Sequence, residues 1–177
     1  IWWRRTRSTR PPTRGLSHCL RRRCRSEVRL CLAMSSMSDV VFVDTNIVVY
    51  AHDADAGAKR QRAAEKLREL WESDCGRLSV QVLQEFYVNV TRKLTTRVAR
   101  STAREIVNTY SAWVREPTTP ETVLRATDIA ELAQISFWDA LIVAAAEQAG
   151  AAQLLSEDLN GGQAIAGIKV INPLLTV

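Results

Sequence analysis

Residues 136–146 read Ser136-Phe-Trp-Asp139-Ala-Leu-Ile-Val-Ala-Ala-Ala146, an almost wholly apolar run headed by one carboxylate. A run of this length is too short to cross a bilayer and too uniformly apolar for a surface helix, so it must be a helix buried in a protein core. Such a helix needs sheet or helix on nearly every side. Ser136, three residues before Asp139, reads as a variant capping box that sets Asp139 in the first helical turn, beside the positive end of the helix dipole. Capping alone would explain an acid there, and the rest of the chain must show whether it has a second role.

Short apolar runs supply the packing partners. Val40–Val43 reads as a strand of the kind buried on both faces, and Arg77–Val80, Val114, Gln153–Ser156 and Ile168–Ile171 as further short strands. Helices are expected at 46–51, 58–72 (Ala63, Ala64, Leu67, Leu70 and Trp71 inward), 80–94 (Leu83, Phe86, Tyr87, Val90 and Leu94 inward), 101–113, from Thr119-Pro120-Glu121 to about Ala133, and from Ser136 to near Gly150. Gly161-Gly162 reads as a flexible turn. Strands alternating with helices specify an α/β domain with a mostly parallel sheet of about five strands, covered on both faces. No internal repeat or linker divides residues 37–177, which form one expected domain.

Charge divides the chain sharply. Residues 1–36 hold ten Arg, no Lys and one acid, a net +9, so the whole-chain +5 leaves −4 for residues 37–177. The basic pI of 9.3 therefore belongs to the first 36 residues, not to the domain. That segment is expected to be disordered and to lie upstream of a natural start at Met34 or Met37. A transit peptide or a nucleic-acid-binding arm would share its composition. Cys19, Cys24 and Cys31 also fall there, which leaves Cys75 alone in the domain and points to a reducing, cytoplasmic setting without disulfides. His18 and His52 stand apart, so a His-based zinc site and a Ser-His-Asp triad have no support.

In open α/β sheets ligands collect beyond the carboxyl ends of the strands. Asp44 and Asp158 follow two such ends, Glu85 is early on a helix after a third, and Asp139 heads the helix leading to the Asp158 strand. Glu85 lies opposite its helix's apolar stripe, facing solvent or a cleft. Two carboxylates about 4 Å apart repel by roughly 4 kcal/mol at an effective dielectric of 20, so a converging quartet calls for a divalent cation. Oxygen ligands alone favour Mg²⁺ or Mn²⁺.

Val43-Asp44-Thr45-Asn46, Val82-Leu-Gln-Glu85-Phe86, the Ser136–Val143 segment and Leu155-Ser-Glu-Asp158-Leu159 together resemble the motifs of the PIN domain, in particular VapC-type toxins of bacterial toxin–antitoxin systems, over about residues 39–173. The resemblance implies a PIN-like three-layer α/β/α fold and a Mg²⁺- or Mn²⁺-dependent ribonuclease. Its metal-binding and catalytic acids would be Asp44, Glu85, Asp139 and Asp158, supported by Thr45, Asn46 and Ser156. It also implies an antitoxin partner and a homodimer. Related sequences often carry His where Gly161 stands, a departure expected to touch substrate contacts and not the acids. Glu157, beside Asp158, is expected to have a minor or solvent-facing role.

Arg92, Lys93, Arg97, Arg100 and Arg104 are the candidate phosphate contacts, with a merely solvated helix face as the plain alternative. Trp71, Trp113 and Trp138 are expected in the core or a dimer interface. A haloacid-dehalogenase-type phosphatase would need Asp where Asn46 stands. A receiver domain would need a better acidic pair than Asp39 offers. A PIN-like module that binds RNA without cutting it remains the alternative function.

Overall fold

The computed structural model describes residues 40–175, so the expectations for residues 1–36 lie outside the described residues. A five-stranded sheet forms the centre, in the order β2-β1-β3-β5-β4. Its strands are β1 (Val41–Val43), β2 (Gly76–Arg77), β3 (Gln153–Leu155), β4 (Ala164–Ile165) and β5 (Ile168–Ile171). The first four strands of that spatial order are parallel, and β4 closes the edge antiparallel to β5. Among the described residues six α-helices pack around it: α1 (Thr45–His52), α2 (Ala58–Glu72), α3 (Val80–Val88), α4 (Arg100–Tyr110), α5 (Pro120–Ala133) and α6 (Phe137–Gln148). This is an α/β/α architecture with a mostly parallel sheet.

The apolar helix α6 is the buried spine. Ala140 through Ala146 are all buried, and Gly150 beyond the helix adopts φ 68°, the left-handed conformation that lets the chain reverse into β3. Phe42, Val43, Ile47, Val82, Phe86, Val143, Leu154, Leu155 and Val170 fill the space between layers, each at most 1% exposed. On the other side Trp113 lies against the backbone of Gly76; a Cβ there would sit 2.6 Å from the indole ring, so only glycine fits.

Several expectations need correction. Val114 forms no strand: its amide bonds back to Ser111, while Leu78 takes the Trp113 carbonyl, and nothing extends the pairing. The fifth strand is β4, joined to β5 by Ala166-Gly167 with φ of 49° and 80°. The strand at Arg77–Val80 is shorter than expected because Ser79 already caps α3, accepting from the Val82 amide. The helix expected to Leu94 leaves α geometry at Asn89 and continues as a π-helical turn, Asn89–Lys93. There the Thr91 hydroxyl donates to the Tyr87 carbonyl at 2.6 Å, competing with the regular ladder. Ala64 is exposed on α2. The fully buried face of α3 carries Val82 and Phe86, whereas Leu83 and Tyr87 are half-buried.

Candidate active site

Asp44 follows β1 and serves as the N-cap of α1, its Oδ1 accepting from the Thr45 amide at 2.6 Å. Its amide bonds to the Leu155 carbonyl, so the end of the β1–β3 ladder fixes its backbone. Ser156, fully buried just past β3, donates its hydroxyl to Asp44 Oδ2 at 2.7 Å. The same hydroxyl oxygen accepts from the Asp158 amide at 3.2 Å and ties the loop carrying the second acid to the first. Asn46 Nδ2 lies 3.1 Å from both Asp44 Oδ2 and Asp158 Oδ2, a neutral donor between two like charges.

Glu85 faces the cleft, which settles the choice that periodicity leaves open. Its Oε2 accepts from Thr45 Oγ1 at 2.7 Å and its Oε1 from Gln81 Nε2 at 2.9 Å. Asp139 occupies the first turn of α6; its amide donates to Ser136 Oγ at 3.1 Å and its Oδ2 accepts from that hydroxyl at 2.7 Å. The cap and the carboxylate are thus one hydrogen-bonded unit at the positive end of the helix dipole.

These four acids, from the cap between β1 and α1, from α3, from α6 and from the loop after β3, line a single cleft of about 270 Å³ together with Thr45, Asn46, Gln81 and Asp53. No Lys or Arg is among its lining residues. The consequence is visible at Asp44, only 8% exposed. Burial pushes its carboxyl up from 3.8 to about 6, against the Ser156 and Thr45 hydrogen bonds, and the charges of Asp158 and Glu85 push the same way. An all-oxygen, uncompensated donor set suits a hard divalent cation. Among the described residues, no group of three or more His, Cys, Asp or Glu side chains is disposed to hold a metal ion. The donor chemistry therefore fits a metal, while ligation requires the side chains to draw together.

Glu157, one residue from Asp158, is neither in the cleft nor solvent-facing: Lys59 Nζ holds its Oε1 at 2.6 Å. That ion pair and a hydrogen bond from Tyr50 keep its carboxyl below the usual range. Arg92, Lys93 and Arg97 are exposed, the first two on the π-helical turn that continues from the Glu85 helix, and none lines the cleft. Arg100 and Arg104 instead flank an apolar groove between α3 and α4 with Val80, Leu83 and Tyr87. The three tryptophans separate. Trp113 is buried and packs 5.4 Å from the half-buried Trp71, whereas Trp138 is 62% exposed at the cleft, so of its two expected places, core or dimer interface, the core is excluded. A Cβ at Gly161 would meet only ordinary contacts, so the backbone there leaves room for a side chain.

Sequence reasoning does not find Gln81, Trp138 or Asn89, all in the cleft wall. Gln81 carries one usable signal, its place one helical turn before Glu85 on the same face. Among the described residues no single helix is long and apolar enough to cross a membrane. A family model, the PIN domain, matches residues 41–163, more than half of the chain. No match is found among curated proteins.

Proposed function

The chain belongs to the PIN domain family, and from that premise we propose that it is a Mg²⁺- or Mn²⁺-dependent endoribonuclease, the toxin of a toxin–antitoxin pair. PIN domains are nucleases in general, hydrolases that act on nucleic acid. The observation that carries the finer reading is the shared cleft: Asp44, Glu85, Asp139 and Asp158 face it from four separate elements with no cationic side chain in its wall. On this reading all four acids would hold the metal. When bound, it would lower the pKa of water for in-line attack on a phosphodiester and offset charge on the departing oxygen.

The chain's own residues supply orientation. Ser156 and the Thr45 amide fix the Asp44 carboxylate, Asn46 keeps Asp158 beside it, and Thr45 aims Glu85. Ser136 holds Asp139 on a helix whose following seven residues are buried, a rigid base for a ligand. Arg92, Lys93 and Arg97 would contact RNA phosphates outside the acidic cleft. The resemblance to VapC-type toxins supports a cognate antitoxin, a homodimer and a cytoplasmic location.

The test is RNA cleavage by purified wild type and Asp44→Asn at controlled metal concentration. Loss of cleavage in the variant supports the assignment, and wild-type cleavage by the variant refutes it. A toxin should also arrest growth when expressed, with relief by Asp44→Asn; growth unaffected by the wild type would refute that part. A second reading, a PIN-like RNA-binding module without catalysis, draws on the absence of a metal-ready group among the described residues. RNA binding without cleavage in any divalent ion would favour it.

A further inference from the structure

Gln81 sits one turn before Glu85 on α3 and is only 7% exposed. Its Nε2 makes two bonds, to Glu85 Oε1 at 2.9 Å and to the main-chain carbonyl of Trp138 at 3.2 Å. A carboxylate oxygen and a peptide carbonyl are both acceptors, so the amide has one possible orientation: the NH₂ group must face them. Its Oε1 is then turned away, and it is the sole buried side-chain N or O atom without a partner among the described residues. An orphaned buried carbonyl costs folding free energy, so a side chain chosen for stability alone would not be an amide here.

The two partners explain the choice. Glu85 belongs to α3, and Trp138 immediately precedes Asp139 in the first turn of α6. One buried amide therefore links the helix carrying one cleft acid to the turn carrying another. Thr45 holds the second oxygen of Glu85, so the pair of donors fixes the carboxylate plane.

We propose that Gln81 is a positioning residue: its amide sets the placement of Glu85 relative to Asp139, and its unpartnered oxygen is the stability sacrificed for that geometry. The proposal rests on the reading of the cleft as a metal site. It separates function from stability in a way that a structural role would not. Methionine matches glutamine in length, keeps the apolar contacts and removes both the NH₂ donors and the orphaned oxygen.

The experiment compares wild type, Gln81→Met and Asp44→Asn by Mn²⁺ titration followed by electron paramagnetic resonance and by urea unfolding in chelator. Losing an orienting partner of a ligand weakens metal affinity about 10- to 100-fold. Gln81→Met should weaken Mn²⁺ by that factor while still unfolding in one cooperative urea transition. Unchanged Mn²⁺ affinity in Gln81→Met, with Asp44→Asn weakened, would overturn the role of Gln81 and spare the metal site. Loss of the cooperative transition together with loss of affinity would assign Gln81 to structure alone and overturn the proposal. Asp44→Asn binding Mn²⁺ like the wild type would remove the metal site and the proposal with it.

Discussion

Replacing Asp44 by Asn should stabilise the metal-free protein at neutral and alkaline pH. Burial raises this carboxyl from 3.8 to about 6, and at ~1.4 kcal/mol per pH unit the ionised form costs the fold about 3 kcal/mol. The sign follows from proton binding: between the two values the folded state holds more protons than the unfolded one, so stability falls as pH rises through that window. The carboxylate serves Ser156 and Asn46 on one oxygen and the Thr45 amide on the other; an Asn turned to keep its oxygen on the first pair loses the Thr45 bond, about 1 kcal/mol. The variant should therefore exceed the wild type by about 2 kcal/mol at pH 8 in chelator, by the difference of those two terms. As pH falls to 4 the advantage should shrink by about 2 kcal/mol and vanish, because Asp44 becomes protonated. Urea unfolding of both proteins at each pH measures it. Acid-linked contributions from groups that do not interact with Asp44 appear in both proteins and cancel in the difference. A variant less stable than the wild type at pH 8, or a gap that does not change with pH, would refute the reasoning.

His52, half-buried against Phe86 with Tyr110 Oη 3.3 Å from its Nε2, is lowered from 6.5 to about 4, first by burial and then by Arg60. Its contribution runs the other way: stability is present above pH 6.5 and is lost as pH falls toward 4, by at most about 3 kcal/mol. His52→Gln should flatten that acid limb in urea titrations. Gly76→Ala would drive a Cβ to 2.6 Å from the Trp113 ring, and calorimetry should record a loss of about 1–3 kcal/mol from overpacking. Charge reversal at Arg92 and Lys93 should weaken RNA binding and lower the salt slope of log K by about one for each phosphate no longer neutralised, read by fluorescence anisotropy across a salt series.

How far the sequence reaches depends on what holds each residue. Asp44 and Asp139 are legible because local pattern places them, one at a strand end and the other three residues into a capped helix. Glu85 is half legible: periodicity puts it opposite the apolar stripe, but only the arrival of Thr45 at 2.7 Å makes that side a cleft. Gln81 is illegible, since its meaning lies in a bond to the Trp138 carbonyl 57 positions away. Trp138 misleads because it heads the most apolar run in the chain, yet it stands in the first turn of α6 at the cleft, ahead of the stretch Ala140 to Ala146 that is buried on every side. The edge strand β4 has two residues and an Ala-Gly reversal, too little pattern to compete with Gly161-Gly162 just before it. The π-helical turn is hidden for a similar reason: apolar spacing continues past Asn89 while the hydrogen bonds change beneath it.

The most direct test of the central claim, that the carboxylate cleft is a metal-dependent ribonuclease centre, is cleavage of total RNA by the purified protein. Wild type and Asp139→Asn would be compared in Mg²⁺, in Mn²⁺ and in chelator. Discrete cleavage products are expected from the wild type with either ion, and none from the wild type in chelator or from Asp139→Asn in any condition. Undiminished cleavage by the wild type in chelator, or by the Asp139→Asn variant, would contradict it.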